Sequence, residues 1–399
     1  MSTRQESLPA LTGLRFVAAL HVFCYHVLGP RLGPRDDVVA RVVGAGYVGV
    51  SLFFVLSGFI LAYVYLSPDA ARAPALRGSR RAFWWARVAR VYPVYALSLV
   101  VAAPLFAIGA ARGGRADAGG VIVTAFTAPI ALQAWTPVAA CRWNCPGWSL
   151  SVEAFFYAVF PAVGVWLVGM RRGRRTWVAA AVWAVCLIPP ATYMWLAPGG
   201  GAPATAHGSD LWMDAVKYAP PAHLGAFVAG VVVGLAFAGR RRSGDAPRWA
   251  ATGAALAVAG VVAVLAAGDA VPYLLLHNGL LVPLWALLIY GLAWQRGAVA
   301  SVLSRRPLVL LGETSYAFYL LHLPVFAYLL AAAARVPGLR TLPTAPWVAL
   351  VFGTSSALAA AAYHYLEEPA RRAIRTRTAP RAYPGPDEGA VAGVAGGTA

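Results

Sequence analysis

The chain predicts an all-α fold, a polytopic bundle of about ten transmembrane helices, and three observations carry that prediction. Of its 399 residues 60% are hydrophobic and only 12% charged, with a mean hydropathy of +0.64, too apolar to be wrapped into a soluble core with a polar surface. Apolar windows long enough to cross about 30 Å of hydrocarbon recur along it. The net charge of +18 sits mainly in arginine clusters between those windows, as the basic excess of cytoplasmic loops predicts. The same clustering excludes nucleic acid as the reason for the charge. Lys217 is the only lysine.

The windows fall near residues 11–28, 43–66, 88–110, 147–169, 176–197, 219–239, 249–268, 274–294, 308–333 and 346–366. Arg15 interrupts the first, and no small-residue cleavage site follows, so it reads as a retained span and not a signal peptide. Arg72, Arg77, Arg80, Arg81, Arg87, Arg90 and the clusters at 171–175, 240–248, 296–306 and 371–381 then share the inner side, which places both termini in the cytoplasm. Val121 to Trp135 is too short to cross, and a crossing there would invert every later loop. A re-entrant or surface-lying piece on the outer face is expected. Residues 1–375 read as one membrane domain. Residues 376–399 turn to Pro, Gly and Ala and read as a disordered cytoplasmic tail. The expected location is the cell membrane, multi-pass.

Cys141 and Cys145 stand four apart in the outer loop, either as a disulfide or as two free thiols. Cys24 and Cys186 lie in spans and read as small apolar packers. No companion His or Cys stands at ligand spacing in that loop, so no metal is expected.

Ionisable groups inside spans are costly and mark functional sites. Arg15 and His26 are eleven residues apart. At about 100° and 1.5 Å per residue they share one helix face and lie roughly 16 Å apart along the axis. The competing reading is a snorkelling Arg15 and a hydrogen-bonded bundle histidine. Arg87 and Arg90, three apart, share a face at the mouth of the third helix, where two forked guanidinium groups suit phosphate or serve as positive-inside anchors. Ser149, Glu153 and Tyr157 repeat every four residues at the start of the fourth helix. Glu153 there needs a partner or a water-filled cavity, and a helix-bridging carboxylate is the structural alternative. Ser315, Tyr319 and His322 form a second stripe, on the ninth helix. Glu367 and Glu368, beside Arg371 and Arg372, read mainly as an interfacial ion-pair cluster.

Six segments in order, LTGLRFVAALHVFCYH, GYVGVSLFFVLSGFIL, FWWARVARVYPVY, PGWSLSVEAFFYAVFP, LGETSYAFYLLHLPVF and HYLEEPARR, resemble the acyltransferase-3 family of integral membrane O-acyltransferases. The resemblance runs from about Leu8 to Arg372. The family pattern of a basic residue, ten others and a histidine lands on Arg15 and His26. Its Arg-x-x-Arg pattern lands on Arg87 and Arg90, and its WSLSVE carboxylate on Glu153. Where many relatives carry Asp, this chain has Ser51, which puts any role of that Asp in doubt here.

The resemblance implies transfer of an acyl group from acyl-CoA, a co-substrate and not a resident cofactor, to a hydroxyl of a sugar-containing acceptor. An envelope glycan and a secondary metabolite such as a glycosylated macrolide are the two acceptor classes. Arg87 and Arg90 would hold the donor's phosphates, with Arg15 extending the positive track. His26 would act as general base, or as a transient acyl carrier, the base role being preferred. Glu153 would fix the imidazole tautomer or bind acceptor hydroxyls, while Ser149, Tyr157, Ser315, Tyr319 and His322 would line substrate or support the bundle. The reading from another class is a transporter or exporter of a small polar or glycosylated solute, which would show related halves with interrupted helices. No such repeat is visible.

Overall fold

The computed structural model describes residues 7–32, 37–67, 75–114, 117–197, 211–241, 244, 246–370 and 372–373. The disordered tail expected at 376–399, Arg72, Arg371 and most of the last basic cluster lie outside the described residues. Ten principal helices form the bundle: α1 (Pro9–Val27), α2 (Gly49–Tyr65), α3 (Arg80–Gly113), α4 (Trp148–Val168), α5 (Arg172–Cys186), α6 (Leu224–Arg241), α7 (Ala250–Ala266), α8 (Val282–Ala293), α9 (Arg306–Ala333) and α10 (Thr344–Ala362). No strand longer than an isolated bridge occurs among the described residues.

Nine helical stretches among the described residues are long and apolar enough to cross a membrane. The tenth expected window is α7, with 17 residues, at the short end of what a crossing needs. It runs antiparallel to α8, since Gly291 abuts the Ala250 carbonyl while Gly260 abuts Leu284. Alternate crossing puts the arginine-rich helix ends together. Arg87 on α3 and Arg241 on α6 both donate to tyrosines at the last turns of α2, Tyr65 and Tyr63, at 2.9 and 3.2 Å. This side is the basic end of the bundle, and the side holding the starts of α2 and α4 is the far end. Exposed tryptophans mark both levels, Trp84, Trp85, Trp166, Trp177 and Trp249 at the basic end and Trp135, Trp195 and Trp212 at the far end, as expected of interfacial belts.

Close backbone approach holds the helices that frame the site. A Cβ on Gly230 of α6 would come within 2.0 Å of the Val55 carbonyl oxygen on α2, and one on Gly58 within 2.2 Å of the Phe227 oxygen. Small residues at such crossings let dispersion contacts replace the missing hydrophobic drive in lipid.

The third helix differs from its sequence window, which began at 88. Ser79 caps it, its hydroxyl accepting from the Ala82 amide at 3.1 Å, so α3 starts at Arg80 and gains more than two turns. Hydropathy hid them because they carry arginines. Pro93 and Pro104 lie inside α3, where they remove the amide donors to the Ala89 and Val100 carbonyls, and side chains of other segments bond carbonyls close by. Tyr316 and Tyr328 of α9 donate to Val91 O and Val101 O at 2.7 Å each, and the Trp143 indole donates to Leu99 O at 3.0 Å.

The segment after α3 forms the helix Ala118–Thr127 and then turns through Gln133–Trp135. Tyr95 and Tyr92, near the middle of α3, donate to Ala128 O at 2.5 Å and Pro129 O at 3.1 Å. The chain therefore dips back beside α3 before returning to α4, the re-entrant alternative of the two expected. Cys141 and Cys145 are disulfide-bonded.

Candidate active site

A cavity of about 490 Å³ lies between α1, α2, α3, α4 and α9, within the usual range for cofactor-sized ligands. Its lining on α2 extends from Val50 to Tyr65, fifteen residue steps or roughly 22 Å by helix rise. The lining residues Tyr63, Tyr65, Arg87 and Arg90 at the basic end are half-buried, whereas Val50, Ser149, Leu150 and Tyr319 at the far end are buried. The cavity is a shaft that is accessible from the basic end and closed at the other.

Three guanidinium groups and one carboxylate face it: Arg15, Arg87, Arg90 and Glu153. The early start of α3 sets Arg87 and Arg90 well inside the helix, three residues apart and on the cavity face. Arg87 donates to the Tyr65 hydroxyl at 2.9 Å, and its guanidinium lies 5.2 Å from the Tyr65 ring and 6.0 Å from those of Phe83 and Tyr157, a cation–π cradle. Arg15 on α1 lies in the field of Arg90, Glu367 and Glu153. Glu153 accepts from Ser57 Oγ at 3.1 Å and from the Tyr157 hydroxyl at 2.5 Å. Ser149, Glu153 and Tyr157 all line the shaft, as their spacing predicts.

The α9 stripe divides. Tyr319 lines the closed end, its hydroxyl 3.1 Å from Ser149 Oγ and 3.3 Å from Pro146 O. His322 is buried behind it. Ser315 is buried and donates to Gly312 O at 2.7 Å within its own helix, so it does not face the cavity.

His26 corrects the expected geometry. Arg15 lines the shaft but His26 does not, and the face near His26 is met by His322 of α9. His26 Nδ1 instead lies 3.0 Å from His322 Nε2, and His322 Nδ1 lies 2.7 Å from Tyr319 O. A carbonyl only accepts, so His322 Nδ1 carries the proton. With a neutral His322 ring, Nε2 accepts, His26 Nδ1 donates, and the His26 lone pair resides on Nε2. The tautomer of His26 is therefore set by His322. Glu153, expected as one candidate for that task, is engaged by Ser57 and Tyr157. The Tyr25 ring stands 4.8 Å from His26 and 5.6 Å from Tyr47, which stands 4.7 Å from Tyr273, so an aromatic row leads away from the imidazole at the far end.

Sequence reasoning missed Ser57 and Tyr65, whose only signal was a hydroxyl inside an apolar window. It also misread the end of α10. Glu368 does pair with exposed Arg372, but Glu367 closes a π-helical turn, Tyr363–Glu367, and is buried at 1% exposure. The wider turn carries its side chain inward instead of to the interface. Ser51 is buried, donating to Val48 O at 2.9 Å and accepting from the Trp285 indole at 3.0 Å. No group of three metal-ligating side chains occurs among the described residues.

The profile of an acyltransferase domain, that of the acyltransferase-3 family, matches residues 8–366. The chain belongs to this family. The acyltransferase MdmB of Streptomyces mycarofaciens is 30% identical over 338 residues, covering 82% of this chain and 81% of that protein. Protein 2 in the picA locus of Rhizobium radiobacter is 35% identical over 98 residues, 24% of this chain and 44% of that protein. No solved structure matches. The protein is a multi-pass membrane acyltransferase, acting on acyl groups other than aminoacyl.

Proposed function

We propose that this acyltransferase moves an acyl group from acyl-CoA, entering at the basic end, to a hydroxyl of a sugar-containing acceptor at the far end. The acceptor is an envelope glycan or a glycosylated secondary metabolite, and the protein works in the cell membrane with both termini in the cytoplasm. One observation carries the reading: a shaft lined by three guanidinium groups ends at Tyr319, whose backbone carbonyl accepts from His322, the partner of His26.

Arg87 and Arg90 bind the donor's phosphates through charge-assisted hydrogen bonds, and Arg15 continues that field inward. The pantetheine arm runs up the shaft and delivers the thioester to the end lined by Ser149 and Tyr319. His26 Nε2 takes the acceptor's hydroxyl proton as its oxygen attacks the thioester carbon. The tetrahedral intermediate collapses with cleavage of the C–S bond, and the proton passes from His26 to the departing CoA thiolate. The acyl carbon meets His26 beyond the closed end that Tyr319 lines. Ser149 and Tyr319 supply the hydroxyls at that end for the developing oxyanion.

The test uses full-length protein in liposomes with acyl-labelled CoA and a hydroxylated glycoside. Label appears on the acceptor with one free CoA per transfer, and His26→Ala inserts into the membrane without transferring. Full residual transfer in that variant removes His26 from the mechanism. Solute movement without label transfer would return the transporter reading.

A further inference from the structure

We infer that the closed end of the shaft measures the acyl chain, with Phe53 as the side chain that sets the limit and Val50 behind it. This rests on the acyl-CoA reading above and adds which donors are accepted.

Length is the first argument. The shaft spans roughly 22 Å along α2 from Tyr65 to Val50. An extended pantetheine arm reaches roughly 15 to 20 Å, about the span of five extended peptide residues. With the phosphates held at Arg87 and Arg90, the arm takes up most of the shaft and leaves room for only a few carbons.

The chemistry of the two ends fixes the direction. Arg87 and Arg90 stand on the basic side of Phe53 and Val50, and Arg15 lies one turn of α1 on the basic side of Ala18, which abuts Gly49. The closed end has Val50, Phe53, Phe54 and Leu150, with only the hydroxyls of Ser149 and Tyr319 for polar company. An anionic nucleotide has no partner there, whereas an acyl group does.

Packing then separates the wall residues. Phe54 is wedged against Trp148 at 6.0 Å, Phe156 at 5.2 Å and His223 at 5.2 Å, so it belongs to the core. Phe53 is half-buried, with its ring 5.9 Å from Tyr319, and it projects into the space an acyl tail would use. Val50, one turn further, is the last α2 residue on the lining.

The experiment is a donor series of acetyl-, propionyl-, butyryl- and hexanoyl-CoA with the full-length protein in liposomes, read as kcat/KM. The wild type loses about tenfold or more at each methylene past its limit. Phe53→Ala moves the limit outward, gaining about tenfold or more for the first rejected donor relative to acetyl, and Val50→Phe moves it inward. Phe53→Leu, a milder cut, decides in place of Phe53→Ala if the latter is not inserted. A wild-type profile in the inserted Phe53 and Val50 variants overturns the inference while leaving the donor reading standing. A wild type that accepts no acyl-CoA, with acceptor and insertion verified, fails the donor reading itself.

Discussion

Removing the acceptor on His322 is the sharpest perturbation of the proposed chemistry. His322 touches neither the shaft nor the far-end surface, yet it holds His26 Nδ1 at 3.0 Å while tied to Tyr319 O at 2.7 Å. His322→Ala leaves the His26 N–H without this partner and frees the imidazole to turn or change tautomer. A lost partner of this kind costs about 1–3 kcal/mol, or roughly 5- to 150-fold in rate if it falls on the transition state. His26→Ala, which removes the base itself, is expected to cost about 10²- to 10⁴-fold. Because the two act as one unit, the double variant should fall no further than His26→Ala alone. His322→Gln, which keeps an acceptor near Nε2 and a donor near Tyr319 O, should recover part of the rate. The assay is kcat for label transfer in liposomes at saturating donor and acceptor, corrected for inserted protein. Wild-type kcat in His322→Ala, or losses that multiply in the double variant, would refute the tautomer argument.

Arg87→Ala and Arg90→Ala should each raise the donor KM about 10- to 150-fold with little change in kcat, the worth of one charge-assisted hydrogen bond to phosphate. An unchanged KM would return both arginines to membrane anchoring. Cys141→Ser with Cys145→Ser should lower stability by about 2 kcal/mol, from the loop-closure entropy of so short a ring. It should also lower activity, since the loop carries Asn144, which donates to Leu320 O at 3.0 Å, and thermal unfolding alongside kcat checks both. Lys217, in the far-end helix Leu211–Tyr218, has its pKa pushed below 10.5 by burial, against the pull of Asp214 at 3.5 Å. The native state then sheds this proton before the unfolded chain does, so the Lys217 contribution to stability rises with pH in the window below about 10.5. Thermal midpoints across the alkaline range should show that rise in the wild type and lose it in Lys217→Met.

What was legible in the sequence was whatever helix geometry and hydropathy decide within one segment. The spacing of Ser149, Glu153 and Tyr157 put all three on one face, and that face lines the shaft. The spacing of Arg87 and Arg90 did the same, although the capped turn at Ser79 that carries them inward was invisible to hydropathy. Arg15 and His26 show where such reasoning ends. Their shared face followed from the helix period, but what stands before it is decided by α9, nearly three hundred residues away. His322 meets that face at His26, while Arg15 faces the shaft. Glu367 was misjudged for a related reason, because a single π-helical turn rotates a side chain off the face that a regular helix would give it.

Charge balance in the shaft ties these pieces together. A guanidinium deep in a bundle persists only where something offsets its desolvation, and here three of them share a cavity with one carboxylate, Glu153. Oε1 of that carboxylate accepts from both Ser57 and Tyr157, which fixes its position beside Arg15. Buried Glu367 adds a second negative charge in the field of Arg15, while Arg87 leans on aromatic faces and one phenol. Nothing in the shaft lining itself neutralises all three cations. The excess positive charge lies on the side from which the shaft is accessible, and it falls away toward the apolar wall at Phe53 and Val50. Such a gradient orients a long ligand with an anionic head and a neutral tail in one direction only, head at the arginines and tail at Tyr319. Under the proposed function, that polarity brings the thioester to His26 and keeps the nucleotide at the basic end.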